Sequence, residues 1–595
     1  MNLKNGWNTW NVRSVLSHVR LPEGLAISLG LKTYSTGCCL REALIGRKGK
    51  NDERIVPGPH AYDGSYTALE LEWNKTKIRV ETAHADGDWF ARVTPLAIHV
   101  KAPALTIEGA VLWNRPGDVR REGDVLRVGP LTVAATGTKH NDEPVVEIPG
   151  PYLLVVLDRP VFVASNPDRL PAANEVIEKR RAEFLASRKG LSEVHHAMQT
   201  CLAWDTIYDP FKDRVISPVS RIWSCSWGGW VLFEWDTYFA AWMASVENKE
   251  LAYANAIAIT EEVTENGFVP CMTHPTGFKT RDRSQLPVGA LTIQALCNRF
   301  GELVLAEKLF EILLSWNRWW PTCRDQDGYL CLGSTPYAPV TGSEYETVPL
   351  NTRFASALES LDNSPMYQDM PYDNKVHRMQ LAEVGLMSLY ITDCRALADL
   401  AKRIGRTEVI GELNERADRY AAKLRTMWCE KTGLFLNRRL DNGEYQTRIS
   451  PMHFYPLLAG VPTQAQAERM IKEHFFNPAE FWGDWILPSI ARNDPAFPSQ
   501  DYWRGRIWAP MNFLVYLGLC NYDLPQARQA LVEKSEALLL KEWREHGHVC
   551  ENYCANTGAG CDKDNSDAFH HWGGLLGLIS VLEAEGGWGQ SKGDK

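Results

Sequence analysis

Hydrophobic and polar positions alternate with a period of two over roughly the first 165 residues, the signature of strands with one buried face. Leu69, Leu71 and Trp73 interleave with charged residues, Asn74-Lys75-Thr76 turns the chain, and Ile78 and Val80 resume the alternation. Val125, Leu126 and Val128 run into a Gly129-Pro130 turn, with Leu131 and Val133 beyond it. Leu153 to Leu157 is continuously apolar, as expected of a strand buried on both faces. These features predict an N-terminal antiparallel β-sandwich over residues 1–165.

Ser165-Asn166-Pro167-Asp168 ends the alternation, and a charged segment, Val176 to Ser187, predicts a linker helix within 166–189. From residue 190 to 595 helical periodicity dominates. Helices are predicted over 233–247, 250–264, 288–299, 303–319, 379–403, 407–427, 464–473, 525–541 and 570–584, with a further one entered from Trp508 and containing Asn512. A series of about a dozen helices separated by long Gly-, Pro- and aromatic-rich loops predicts an α/α toroid, an (α/α)6 barrel, as the catalytic domain. No repeat of fixed period supports a solenoid.

Composition narrows the partners. The hydrophobic fraction is 45% and the charged fraction 23%, which excludes a disordered or fibrous chain. The net charge of −9, without a basic block, argues against nucleic acid. No apolar run is long enough for a membrane span. The start, Met1-Asn2-Leu3-Lys4, lacks an apolar leader, and the 14 Cys lack the density of a disulfide scaffold, so a cytoplasmic location is expected. The 22 Trp, with 20 Tyr and 19 Phe, suit clefts for sugar rings, although most such Trp fill cores. No nucleotide, flavin or pyridoxal motif stands out, so no cofactor is expected.

Several loop segments are dense in polar and aromatic residues. Trp235 and Asp236 stand at a predicted helix start, where Asp236 either caps the helix or faces a cleft. Arg281-Asp282-Arg283-Ser284-Gln285 precedes an apolar helix, and Arg283 and Gln285 are candidate donors to substrate. Asp362 lies in the polar turn Leu361-Asp362-Asn363-Ser364-Pro365, followed by Tyr367. Tyr502-Trp503-Arg504-Gly505 leads to Trp508, and Glu551-Asn552-Tyr553 leads to Trp572. Glycoside hydrolysis needs one carboxylic acid to protonate the leaving oxygen and a second carboxylate for water or direct attack. Asp362 and Glu551, 189 residues apart, are the candidate pair.

Together these residues resemble glycoside hydrolase family 63 and its relatives, inverting enzymes that include processing α-glucosidases, mannosylglycerate and glucosylglycerate hydrolases and, more distantly, trehalases. The resemblance covers about residues 190–585 and is carried by Trp235-Asp236, Gly267-Phe268-Val269-Pro270, Asp282-Arg283-Ser284-Gln285, Asp362-Asn363-Ser364-Pro365, Tyr502-Trp503-Arg504-Gly505 with Trp508, and Glu551-Asn552-Tyr553 through Trp572. It implies Asp362 as general acid and Glu551 as general base, with Trp235, Asp236, Arg283, Gln285, Tyr367, Trp503, Arg504, Trp508, Tyr553 and Trp572 around the sugar. An inverting mechanism implies a carboxylate gap of about 6.5–9.5 Å. The expected activity is release of a terminal α-linked hexose, glucose first, from a small glycoside. Trehalase and glycosyl-glycerate hydrolase are the nearer alternatives; an epimerase or lyase on the same barrel and a silent sugar-binding protein are the distant ones. Cys550, Cys554 and Cys561, with His548 close in sequence, depart from the family pattern. Their spacing does not match zinc knuckles, and they read as thiols with no metal. Tyr337 to Glu346 is a candidate lid.

Overall fold

The computed structural model describes residues 3–34, 36–49, 52–98, 101–337 and 349–588. The proposed lid therefore lies outside the described residues, Tyr337 apart. Packing divides the chain into two compact units, Met1–Trp230 with Glu545–His548, and Val231–Arg544 with Val549–Lys595. The sequence boundaries at 165 and 190 track instead the switch from strand to helix.

The strands of the two large sheets of the first unit are β1 (Gly6–Asn8), β2 (Ser17–Leu21), β3 (Leu25–Lys32), β4 (Cys39–Leu40), β5 (Arg54–His60), β6 (Tyr66–Trp73), β7 (Thr76–Ala85), β8 (Asp88–Ala97), β9 (Ala104–Val111), β10 (Val119–Glu122), β11 (Val125–Val128), β12 (Leu131–Ala135), β13 (Tyr152–Val156) and β14 (Val161–Ala164). One antiparallel sheet runs β1-β2-β3-β9-β13 with β4 on β3; the other runs β10-β11-β12-β14-β8-β7-β6-β5. The expected hairpin is β6–β7, closed by Asn74 (φ 47°) and Lys75 (φ 62°). Two left-handed residues in succession match the twist of the strands they join. In β13, Leu153, Leu154 and Val155 are fully buried. Helix α1 (Ala173–Ser187) falls within the expected linker segment and packs Ala173 and Ile177 onto Tyr66, Ala83, Phe90 and Ala164. Helices α2 (Glu193–Asp205) and α3 (Arg221–Ser226) complete this unit's helices among the described residues.

The second unit contains α4 (Glu234–Ala244), α5 (Lys249–Thr260), α6 (Gly289–Phe300), α7 (Val304–Arg324), α8 (Arg353–Ala357), α9 (Val384–Arg403), α10 (Ile410–Arg425), α11 (Gln464–Met470), α12 (Ala509–Leu519), α13 (Pro525–His546) and α14 (Leu575–Ala584). Six elements pack in a closed ring: α4 on α6, α6 on α9, α9 on the 3₁₀ segment Pro451–Leu457, that segment on α12, α12 on α14, and α14 on α4. Of the ring helices, α4 and α12 are buried along their whole length, every residue of each lying inside. A helix buried on all sides needs no polar face. Outer helices are amphipathic, as in α10, where Leu413, Ala417, Tyr420, Ala421 and Leu424 form one buried stripe. Helix α9 starts at Val384 rather than 379, because Arg378–Met379 and Leu381–Ala382 pair as strands and the Glu383 carboxylate caps the helix at the Leu386 N–H. Among the described residues no helix is long and apolar enough to cross a membrane.

Candidate active site

The candidate segments are distributed around the ring. Trp235 and Asp236 lie in the first turn of α4, and Arg283 and Gln285 in the connection entering α6. Asp362 and Tyr367 lie upstream of α9, Trp503 to Trp508 enter α12, and Glu551 to Trp572 precede α14. Candidate residues thus precede α6, α9, α12 and α14 in sequence, and Asp236 lies within the first turn of α4, where the positive end of the helix dipole favours a carboxylate.

Four indoles from three of these segments form one cluster. Trp503 and Trp508 stack with centroids 3.7 Å apart and planes 8° apart. Trp572 stands edge-on to Trp508 at 5.3 Å and to Trp503 at 6.3 Å, and Trp235 lies 6.0 Å from Trp572 and 6.3 Å from Trp503. The Trp503–Trp508 stack requires a sharp turn at Gly505 (φ 111°), where a Cβ would come within 2.6 Å of the Phe497 carbonyl oxygen. The Trp572 indole N–H donates to the Glu551 carbonyl at 2.8 Å, and Trp508 donates to the Tyr502 carbonyl at 3.0 Å.

Glu551 is buried. Its Oε1 accepts the Tyr502 hydroxyl at 3.1 Å and its Oε2 accepts the Asp567 N–H at 2.8 Å. Burial, with the neighbouring charges of Asp567 and Asp236, pushes its carboxyl up from the usual range, against the pull of those two donors. Asp236 is also buried, and its carboxyl is raised by burial and by the charge of Asp362. It does not cap α4: the cap position is Phe233, with no side-chain hydrogen bond. The Tyr502 hydroxyl joins these groups. Its proton is held well above the ordinary range by burial and by the charges of Glu551, Asp362 and Asp236. Three carboxyl groups from distant parts of the chain therefore act on one phenol.

Asp362 is half-buried. Its loop is clamped from two directions. Asn363 Oδ1 accepts the Trp503 N–H at 2.9 Å while its Nδ2 donates to Asp501 Oδ2 at 3.3 Å. Three residues upstream, Glu359 and Arg324 form an ion pair at 2.8 Å with both side chains fully buried. Glu359 also accepts the Gly333 and Ser284 N–H groups, and Arg324 donates to the Asp282 carbonyl, so the same pair ties down the entry to α6.

Of the other candidates, Gln285 Oε1 accepts the Trp235 N–H at 3.4 Å, which sets its amide beside the indole cluster. Arg504 is half-buried and donates to Gln368 at 3.1 Å. Arg283 is fully buried, with its guanidinium on the Asp282 carboxylate at 2.8 Å. Tyr367 is buried with its hydroxyl on Ser360 at 3.0 Å, and the Asp362 charge reaches its phenol. Tyr553 is buried, its hydroxyl accepting the Cys550 N–H at 3.1 Å and its backbone bridged to Ile507. Sequence reasoning passed over Tyr502, Asn363, Asp567 and Arg506. Arg506 is fully buried, donates from Nε to Asn552 Oδ1, and pairs with Asp562 at 2.7 Å, pinning the Glu551 loop. Tyr502 and Asn363 stand inside the quoted motifs, and a hydroxyl and an amide there were the available signal.

A family profile described as the mannosylglycerate hydrolase MGH1-like glycoside hydrolase domain matches residues 230–571, which include every candidate residue except Trp572. The chain belongs to this family. Within the MGH1-like family, mannosylglycerate hydrolase MGH1 of Selaginella moellendorffii is 25% identical over 316 residues, 47% of this chain and 62% of that protein. A mannosylglycerate hydrolase of Thermus thermophilus is 31% identical over 134 residues, 22% of this chain and 31% of that protein. The matches thus span less than two thirds of these relatives' own length. Among solved structures, a bacterial glucoamylase complexed with acarbose shares the fold at a TM-score of 0.53 and 11% identity, covering 98% of this chain and 93% of that one. The family and the fold agree on an (α/α)6 barrel preceded by an antiparallel β-sandwich region.

Proposed function

We propose that the protein is an inverting, exo-acting glycoside hydrolase that releases a terminal α-linked hexose from a small glycoside. Asp362 is the general acid that protonates the leaving oxygen, and Glu551 is the general base that takes a proton from the attacking water. The observation that carries this reading is the Tyr502 phenol, hydrogen-bonded to Glu551 and within the electrostatic reach of Asp362 and Asp236. Tyr502 and the Asp567 N–H orient the Glu551 carboxylate and favour its ionised form. Asp236 and Gln285 hold hexose hydroxyls, and the indole cluster takes the C–H face of the ring.

Glycosyl-glycerate is a second substrate reading. The two relatives described above carry that activity in their names, and Arg504 is a half-buried guanidinium that donates to the neutral oxygens of Asn363 and Gln368, suited to a glycerate carboxylate. The test is a panel of mannosylglycerate, glucosylglycerate, trehalose and other α-linked disaccharides, with the first-formed anomer followed by NMR. Release of β-hexose from an α-glycoside is expected. First-formed α-hexose would sink the inverting mechanism, and recovery of every glycoside intact would sink the hydrolase.

A further inference from the structure

The loop that carries Glu551 is built around sulfur. Cys550, the residue before it, is fully buried, and its Sγ lies 3.6 Å from Sγ of Cys561 on the returning limb of the same loop. Glu542, buried on α13, brings a carboxylate oxygen to the same point, so that the two sulfurs and this oxygen all lie within 4.8 Å of one another. We propose that Cys550, Cys561 and Glu542 bind a thiophilic divalent cation of the zinc class.

Magnitudes separate this from the other use of two adjacent thiols. Disulfide sulfurs stand about 2.05 Å apart. Two thiolates on a tetrahedral zinc, each about 2.3 Å from the metal, stand about 3.8 Å apart. The observed 3.6 Å separation excludes a disulfide and accommodates the second arrangement. The chemistry agrees, because thiolate and carboxylate are both anionic when they ligate, and gathering three of them below the surface is favourable only around a positive charge. Lys541 Nζ, 3.4 Å from Glu542 Oε1, offers one ammonium to the carboxylate, and the Gly560 N–H donates to the same oxygen at 3.0 Å. Gly560 also makes the sulfur arrangement possible: a Cβ there would lie 2.3 Å from Cys550 Sγ.

Such a cation would join α13 to both limbs of the loop and so fix the backbone on which Glu551 sits. Its role is positioning, since the metal is separated from the reacting carboxylate by the Cys550–Glu551 main chain. The fourth coordination place falls to water or another small donor.

The full-length protein, purified without chelators, is expected to carry one zinc per chain by elemental analysis. Exchange for Co²⁺ is expected to give a thiolate-to-cobalt charge-transfer band and tetrahedral visible bands. Cys561→Ala should abolish the band and weaken Co²⁺ binding at least about tenfold, the scale for losing even an outer-shell partner. Cys554→Ala should leave the band intact. Circular dichroism checks that each variant folds, and Glu542→Gln, which can still accept the Gly560 N–H, should independently weaken Co²⁺ binding. The proposal is overturned if the native protein neither carries metal nor gives the band. It is equally overturned if the band survives in both Cys561→Ala and Glu542→Gln, or if intact mass shows these cysteines isolated as a disulfide, lighter by two hydrogens.

Discussion

The Asp362 and Glu551 loops solve the same problem with opposite distributions of burial. At Asp362 the proposed acid stays half-exposed, and the buried charges, Glu359 and Arg324, stand behind it and pair with each other. At Glu551 the proposed base is itself buried, while its anchor Arg506 reaches out to Asp562, whose side chain is 32% exposed. The cost of desolvation therefore falls on the scaffold in one loop and on the proposed catalytic group in the other. Burial alone would name Glu551 the proton donor; the Tyr502 and Asp567 donors oppose that by stabilising its carboxylate. The comparison can be broken by experiment.

The largest effect concerns the roles themselves. Asp362→Asn and Glu551→Gln should each lower kcat by about 10²–10⁴-fold on a natural glycoside. With a glycosyl fluoride, whose leaving group needs no proton, the Asp362 variant should recover much of that loss and the Glu551 variant should not. Steady-state rates on both substrates decide this, and recovery only in the Glu551 variant would exchange the two roles. Next comes the scaffold. Arg324→Met leaves Glu359 buried without its partner and should cost about 3–5 kcal/mol in urea unfolding. Arg506→Met should cost less, about 1–3 kcal/mol, because Asp562 can turn to water; equal losses would erase the distinction between the two clamps.

Smaller is the loss of the Tyr502 hydroxyl. Tyr502→Phe removes a donor that favours the ionised form of Glu551, so the Glu551 carboxyl rises further. The acid limb of the kcat/KM profile should then move to higher pH, with turnover near neutrality falling about tenfold. An unmoved limb would remove Tyr502 from any role in tuning Glu551. The smallest effect is on stability. A carboxyl raised on folding contributes stability below its unfolded value and loses it as pH rises through the folded one. Glu551→Gln should therefore melt with the native protein at acid pH and above it at alkaline pH, while activity collapses. A melting difference that shrinks or reverses as pH rises would argue against a raised carboxyl at this position.

Most of the fold was legible because one periodicity dominates the chain up to about residue 165 and another dominates it beyond about residue 190. The period-two pattern around Asn74-Lys75 located β6 and β7, and the helical pattern located α5, α6, α7 and α10 to within a few residues at each end. The ring element that escaped is Pro451–Leu457, whose two prolines and short length give no helical period to read. At the proposed site, Asp362 and Glu551 stand out in the sequence as carboxyls in polar turns, where a structural role is hard to supply. What they lean on does not. The pairing of Glu359 with Arg324, and of Arg283 with Asp282, depends on which buried polar groups the fold brings face to face. The approach of Glu542 to Cys550 and Cys561 was not legible either, since it depends on how the chain turns after α13 ends at His546 and on how the loop folds back to Cys561.

Closure of the ring by α14 against α4 has a consequence for biosynthesis. Those two helices are separated by some three hundred residues of intervening chain, and loop entropy makes such distant pairings late. A ribosome-bound chain still waiting for Leu575–Ala584 holds every other strand and helix described above but an incomplete circle. The apolar flank of α4 that receives α14 stays uncovered until Leu575–Ala584 has been made, which makes this flank the surface that a chaperone would be expected to shield on the nascent polypeptide.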